Sequence, residues 1–228
     1  MAAWKVDDVM TKAVVSVRPA ASYREVVDLL IGHRFSAVPV VDDFQHVTGV
    51  ISEADLLRKI EYAGEEAPRL FEGRRRRGER AKAYAGTAAG LMSSPPVVVL
   101  SETPIAAAAR LMDAEKVKRV PVVDDLGRLI GIVSRSDLLK VHLRPDDDIG
   151  SDVSRDVFDA LLHQGADRVG VAVSGGIVTL TGQIDRRSTA NLALRLTRQV
   201  PGVVQVIDGL AVAFEDTDTT GAGVFYVA

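Results

Sequence analysis

Cysteine is absent from the chain, which excludes thiolate nucleophiles, disulfides and Cys-ligated zinc. Aromatic residues are scarce, at 5% of 228 residues. No apolar run approaches the roughly 18 residues that a membrane-spanning helix needs. The opening residues MAAWKVDDVM hold no apolar stretch, so a secretory signal is not expected. Charge of one sign is also missing: the net charge of −3 argues against a chain that seeks nucleic acid through its overall field. The four histidines, His33, His46, His142 and His163, are scattered. They show neither His-x-His nor His-Glu-x-x-His spacing, and no nucleophile elbow or Walker loop occurs. No catalytic residue and no metal site is therefore expected, and the chain is not read as an enzyme. His33 and His46 are read as a helix end and a turn. The expectation is a soluble cytoplasmic protein.

What the chain does have is apolar mass, 47% hydrophobic residues, drawn mostly from Val, Leu, Ile and Ala. That composition suits sheets covered by helices. It also has a repeat. Shifting the sequence by 82 positions lays Met10 on Met92 and runs without a gap to Lys140, with SAVPVVDDFQHVTGVISEADLL over KRVPVVDDLGRLIGIVSRSDLL. Each copy reads as a short extended run (14–17; 97–100), a helix, two strands and a final helix, in the order β-α-β-β-α. Ser22 and Thr103-Pro104 are expected to open the first long helix of each copy as a cap and a Pro at the first helical position. A unit of about 55 residues is marginal alone, so the two copies are expected to pack together around a pseudo-two-fold axis.

The duplicated Pro-Val-Val-Asp followed by Gly-x-x-Ser-x-x-Asp resembles the CBS-domain pair, or Bateman module, over residues 6 to about 60 and 88 to about 142. The Ser-x-x-Asp pairs, Ser52 with Asp55 and Ser134 with Asp137, have the spacing of a capping box. The same turn at a helix start also suits phosphate, and the resemblance implies that these four residues line a cleft binding an adenosine nucleotide. The Asp side chains would meet the ribose diol. Lys116, Lys118 and Arg119 precede the second Pro-Val-Val. They are either solvated surface charges or a set of cations able to meet a polyphosphate.

Residues 61–87 form a charged insert with four consecutive arginines, Arg74 to Arg77, amid glutamates. It is read as a mobile or partly helical linker, with anion binding as the other possibility. Thr87 is expected to cap a short helix ending at Leu91-Met92. After a Pro- and Gly-containing linker at 144–151 the pattern changes. A helix at 152–163, a hairpin around Ser174-Gly175-Gly176, an Arg-rich helix at 186–199 and a last strand give the order α-β-β-α-β. With Val173, Gly176, Val178, Leu180 and Gly182 in the hairpin, and Val200 to Val203 and Val206 after the second helix, residues 152–214 resemble the BON domain. That resemblance implies contact with anionic lipid through Arg186, Arg187, Arg195 and Arg198; a solvated helix face capped by Asp185 accounts for the same residues. The tail at 215–228 is expected to be loose.

The fold class expected is thus α/β and α+β, with repeats at 1–60 and 88–143. The function expected is regulatory ligand sensing. The competing reading is a dimerisation scaffold without nucleotide, with the BON domain meeting lipid or a protein. The CBS resemblance implies a homodimer.

Overall fold

The computed structural model describes residues 4–63, 74–159, 161 and 169–216. The parts of the insert at 64–73 and of the tail at 217–228 lie outside the described residues. The described residues fall into two compact units, one within residues 5–138 and the other made of Trp4 and the described residues from 139 onward.

In the first unit the two copies are built alike. The first contains helix α1 (Val6–Val9), α2 (Tyr23–His33), strands β1 (Ala37–Val41) and β2 (Val47–Ser52), and α3 (Glu53–Glu61). Helix α4 (Arg74–Tyr84) lies between the copies. The second contains α5 (Ala88–Leu91), β3 (Val99–Leu100), α6 (Ile105–Ala114), β4 (Arg119–Val123), β5 (Leu129–Ser134) and α7 (Arg135–Leu138). Strand pairs β1–β2 and β4–β5 are antiparallel, each with a register shift at the matching place, Val40/Val41 and Val122/Val123. The leading strand is real in the second copy, where β3 runs parallel to β4. In the first it shrinks to a single parallel bridge between Val17 and Val40. Val38, Val40, Ile51, Val120, Val122 and Val133 are fully buried, which is why these strands read as unbroken apolar runs.

Helix α2 begins as expected: Ser22 accepts from the Glu25 N–H at 3.2 Å and Glu25 accepts from the Ser22 N–H at 2.7 Å. The second copy differs. Pro104, not Thr103, sits at the N-cap of α6, because the 82-residue shift matches Pro104, not Thr103, to Ser22. Extended backbone at Pro104 (φ −58, ψ 138) starts the helix without a side-chain cap. Thr87 does occupy the N-cap of α5, though its side chain makes no capping bond.

The copies exchange their leading segments. Val6 and Asp7 N–H groups donate to Thr103 and Ser101 of the second copy, and Ala88 and Ala89 donate to Ala21 and Pro19 of the first. Thr11 bridges Ile132, and Ser93 bridges Val50. Ala88 and Leu91 are fully buried within the core of the first copy, beside Val26, Leu30 and Ile51. Met10 packs against Gly131 and Met92 against Gly49, where any Cβ would collide with the thioether. At the pseudo-axis the hairpin turns meet, with His46 bridged to its own counterpart Arg128.

Those turns are held by aspartates. Asp124 accepts from the N–H groups of Leu126 and Arg128 at 3.0 and 2.9 Å and from the Arg128 guanidinium at 2.7 Å. The Arg128 backbone and side chain hold this carboxyl below its ordinary value of 3.8, against a smaller opposing effect of burial. A lowered folded-state value contributes stability that is present above the unfolded value and lost as pH falls through the folded one. Asp124→Asn is therefore expected to lower the urea midpoint at pH 7 and to differ progressively less from the parent as pH falls below about 4. An equal difference at pH 7 and pH 2.5 in parallel urea titrations would count against this account.

The second unit is a three-stranded sheet in the order β6 (Gly170–Ser174), β7 (Ile177–Arg186), β8 (Gln205–Phe214), with β7 antiparallel to β6 and parallel to β8. Gly175 and Gly176 make the hairpin turn with φ of +58 and +74, the mirror-image turn that glycine adopts without strain. Among the described residues, two longer helices pack against this sheet. The stretch expected as a linker is helical instead. Helix α8 (Asp146–Asp152) starts there and continues as a π-helical segment over Val153–Asp159. Pro145 stands at its N-cap with three aspartates in the first turn, which suits the positive end of a helix. Ile149, Val153, Val157 and Phe158 bury one stripe of it against Val178, Leu180 and Leu194. Helix α9 (Arg187–Thr197) supplies Leu194, Ala193 and Ala190 from the other side. Its N-terminus is satisfied from a distance. Asp216, not Asp185, accepts from the Ser188 N–H at 2.8 Å and its hydroxyl at 2.6 Å. The first two residues of the expected loose tail are therefore fastened, since Glu215 also pairs with Arg187 at 2.7 Å.

Candidate functional site

Strand β2 delivers Ser52 to the N-cap of α3, and β5 delivers Ser134 to the start of α7. At each, the aspartate three residues on folds back. Asp55 Oδ2 accepts from the Ser52 N–H at 3.0 Å and its hydroxyl at 2.7 Å. Asp137 Oδ2 accepts from the Ser134 N–H at 2.9 Å and its hydroxyl at 2.6 Å, while Ser134 Oγ accepts from the Asp137 N–H at 3.2 Å. The structural role anticipated for Ser-x-x-Asp is present in both copies.

Between the copies lies a cleft of about 190 Å³. One wall is the strand-to-helix turn of the first copy, Ser52, Glu53 and Ala54, with Ser36 and Ala37 beside it. The other wall is Lys116, Val117, Lys118 and Arg119 of the second copy. The two lysines and the arginine thus face the serine turn of the opposite repeat, a meeting that neither stretch reveals alone. Lys116 is held at φ +55 and its Nζ pairs with Asp113 at 3.1 Å. Lys118 is exposed and Arg119 half-buried, and among the described residues neither forms an ion pair. Their charge faces a serine hydroxyl at the amino end of a nine-residue helix, which is chemistry for an anion. Glu53 is the single carboxylate among the lining residues.

Asp55, Ser134 and Asp137 do not line this cleft. Asp55 is buried, and its remaining oxygen, Oδ1, accepts from Lys82 Nζ at 2.7 Å. Lys82 comes from α4 in the insert, and its Nζ also donates to Ser93 Oγ at 2.7 Å. Ser36 was missed by sequence reasoning, although the 82-residue shift matches it to Lys118 and so flags it. Lys82 carries no such signal, because it belongs to neither repeat. Among the described residues no group of histidines and carboxylates is placed to hold a metal, and no helix is long and apolar enough to cross a membrane.

The CBS domain model matches residues 6–62 and again 88–144. The chain belongs to the CBS-domain family. Its second unit matches the BON domain model over residues 145–213, so a CBS pair is followed by a BON domain, as the motifs implied. The CBS pair is 31% identical over 138 residues to the chloroplastic CBS domain-containing protein CBSX2 of Arabidopsis thaliana, covering 56% of this chain and 58% of that one. The chain thus spans less than two thirds of that relative's length. It is 27% identical to the inosine-5'-monophosphate dehydrogenase of Methanocaldococcus jannaschii over 141 residues, but those residues are only 24% of the enzyme. Among solved structures, CBSX2 in complex with AMP superposes with a TM-score of 0.55 at 32% identity, over 61% of this chain and 97% of that one. The CBS pair of MJ0100, solved with 5'-methylthioadenosine and S-adenosyl-L-methionine, shares the fold with a TM-score of 0.50 at 21% identity, over 61% of this chain and 96% of that one.

In the BON domain the four arginines expected to meet lipid do not form one set. Arg187 is bound by Glu215, and Arg186 lies 3.9 Å from Asp216. Arg195 and Arg198 are exposed on α9 and at its C-terminus.

Proposed function

We propose that the protein is a non-enzymatic cytoplasmic sensor whose CBS pair binds an adenosine nucleotide in the cleft between the repeats. The observation that carries this reading is the meeting of Ser52 and the start of α3 with Lys118 and Arg119 across that cleft. The AMP complex of CBSX2, at 32% identity, supports the choice of an adenosine ligand. The phosphate sits at the Lys118–Arg119 wall with the Ser52 hydroxyl beside it, away from the Glu53 carboxylate, because two anions repel. The ribose is met by the polar groups that line the cleft beside that wall, Ser36 and the Glu53 carboxylate, which can accept from its hydroxyls, since Asp55 and Asp137 lie outside the lining. A ligand spanning both walls prefers the arrangement that brings them together, and that difference in affinity is what a sensor needs. The BON domain transmits or localises the change.

A homodimer completes the proposal. Helices α2 and α3 enclose an apolar groove lined by Val27, Leu30, Ile31, Leu56, Leu57 and Ile60. Ile31 and Ile60 are 72% and 70% exposed, a concentration of apolar surface that a second copy would cover. For the BON domain, Arg195 and Arg198 remain the cations available to an anionic surface.

Calorimetric titration of the full chain with AMP, ADP, ATP and S-adenosylmethionine is expected to give saturable binding by at least one. The double variant Lys118→Ala/Arg119→Ala is expected to lose tenfold or more in affinity, since it removes two charge-assisted bonds to phosphate. No heat from any of the four, together with a melting temperature unmoved at large ligand excess, would leave the scaffold reading in its place.

A further inference from the structure

We infer that the cleft between the repeats takes a single nucleotide per chain, in one orientation, fixed by three positions at which the repeats differ in charge. The inference rests on the nucleotide reading above and assigns its stoichiometry and the residues that set it. The 82-residue shift matches Ser36 to Lys118 and Ala37 to Arg119, and all four line the same cleft. The cleft therefore lies across the pseudo-two-fold axis, and a ligand in the symmetry-related pose would need the same four residues. At about 190 Å³ the cleft is smaller than the roughly 300–1,000 Å³ of ordinary ligand pockets. It has room for the phosphate and ribose of one nucleotide, and not for those of two.

The charges decide which pose is taken. With the phosphate at Lys118 and Arg119, the ribose meets Ser36 and Glu53, both acceptors. In the symmetry-related pose the phosphate would meet a serine and an alanine in place of two cations. The ribose would meet Lys118 and Arg135, the match of Glu53, whose charged groups only donate. Arg135 is also committed elsewhere. Its Nε donates to the Val117 carbonyl at 3.1 Å and its Nη2 to the Met112 carbonyl at 3.2 Å. The serine turns differ in the same sense. Ser134 is 8% exposed and its hydroxyl is fully used. Its proton goes to Asp137 Oδ2 at 2.6 Å, so the Ser136 hydroxyl, at 2.8 Å, must be the donor of their pair, and the other lone pair accepts from the Asp137 N–H at 3.2 Å. At the first turn Ala54 stands in place of Ser136. Ser52 Oγ therefore keeps a lone pair for a ligand, and Ser52 lines the cleft.

The test is calorimetric titration of the full chain and its variants with AMP and with 2′,3′-dideoxy-AMP, which lacks the diol. The parent is expected to bind one AMP per chain and to prefer AMP over the dideoxy analogue by roughly tenfold, the effect of a charge-assisted bond. Glu53→Ala is expected to lose most of that preference, because it removes the carboxylate that accepts from the diol. Arg135→Ala, at the matching position, is expected to keep the preference. A stoichiometry of two overturns the inference while the nucleotide reading stands. So does a preference that the parent lacks, that Glu53→Ala keeps or that Arg135→Ala loses. If AMP gives no heat the inference falls, and the nucleotide reading falls with it only if ADP, ATP and S-adenosylmethionine are silent as well. Should Arg135→Ala lose the parental far-ultraviolet circular dichroism, the stoichiometry and the Glu53→Ala comparison decide alone.

Discussion

Replacing Leu91 by alanine is expected to destabilise the first repeat, although Leu91 belongs to the second. Leu91 is fully buried, and its neighbours in the core are Val26, Leu30, Val38 and Ile51 of the first copy. Truncating such a leucine removes its transfer free energy and leaves a cavity that the surroundings fill only in part, at a cost of about 3 kcal/mol. The strands on either side are locked by their ladders and the exchanged segment is tied at Ala88, Ala89 and Ser93, so little collapse can follow. In a urea or thermal melt the transition of the CBS pair should move by about 10 °C or the equivalent in midpoint. Leu57→Ala is the control. That side chain is 53% exposed, and its loss should cost well under about 1 kcal/mol. Equal effects from the two variants would show that α5 does not close the core of the first repeat. The exchange also means that a fragment ending before residue 88 lacks two core residues of its own fold.

Gly202→Ala is the second large effect, and it falls on the BON domain. Gly202 has φ of +96, where a residue with a Cβ is strained by about 1–3 kcal/mol. A Cβ there would also stand 2.9 Å from Ile149 Cδ1 and 3.1 Å from the Val141 carbonyl oxygen. The isoleucine is itself 1% exposed and has nowhere to move, so overpacking adds to the backbone cost. A total of roughly 3 kcal/mol or more is expected, read as faster hydrogen exchange at the amides of Leu180 and Ile184 in the central strand. Gly175→Ala separates the two causes. Its φ is +58, but a Cβ there meets open space, so only the conformational cost of about 1 kcal/mol applies. If both alanines cost the same, the contact with Ile149 contributes nothing.

These two glycine and leucine positions mark how far local reading reaches. The Pro-Gly after the second helix of the BON domain is visible as a helix stop, yet why it must be glycine depends on Ile149, from a stretch that reads as a linker. Polar composition pointed to a loop at 144–151, whereas Pro145 and the three aspartates after it start a helix whose value lies in the stripe it buries. Asp185 stands where a local cap belongs, but Asp216 does that work from beyond the last strand.

By itself the sequence determined the duplication, the order of strands and helices in each repeat, the cap at Ser22, the capping boxes at Ser52 and Ser134, the Gly175-Gly176 hairpin and the two family resemblances. Each of these is written within one element or its turn, where backbone conformation and side-chain periodicity act over a few residues. Only the tertiary structure decided that the repeats exchange α1 and α5, that Lys118 and Arg119 confront the serine turn of the other copy, and that Lys82 sits on Asp55. Those contacts join groups 27 or more residues apart in the chain. They follow from which apolar faces bury one another, and no local preference of either partner encodes them.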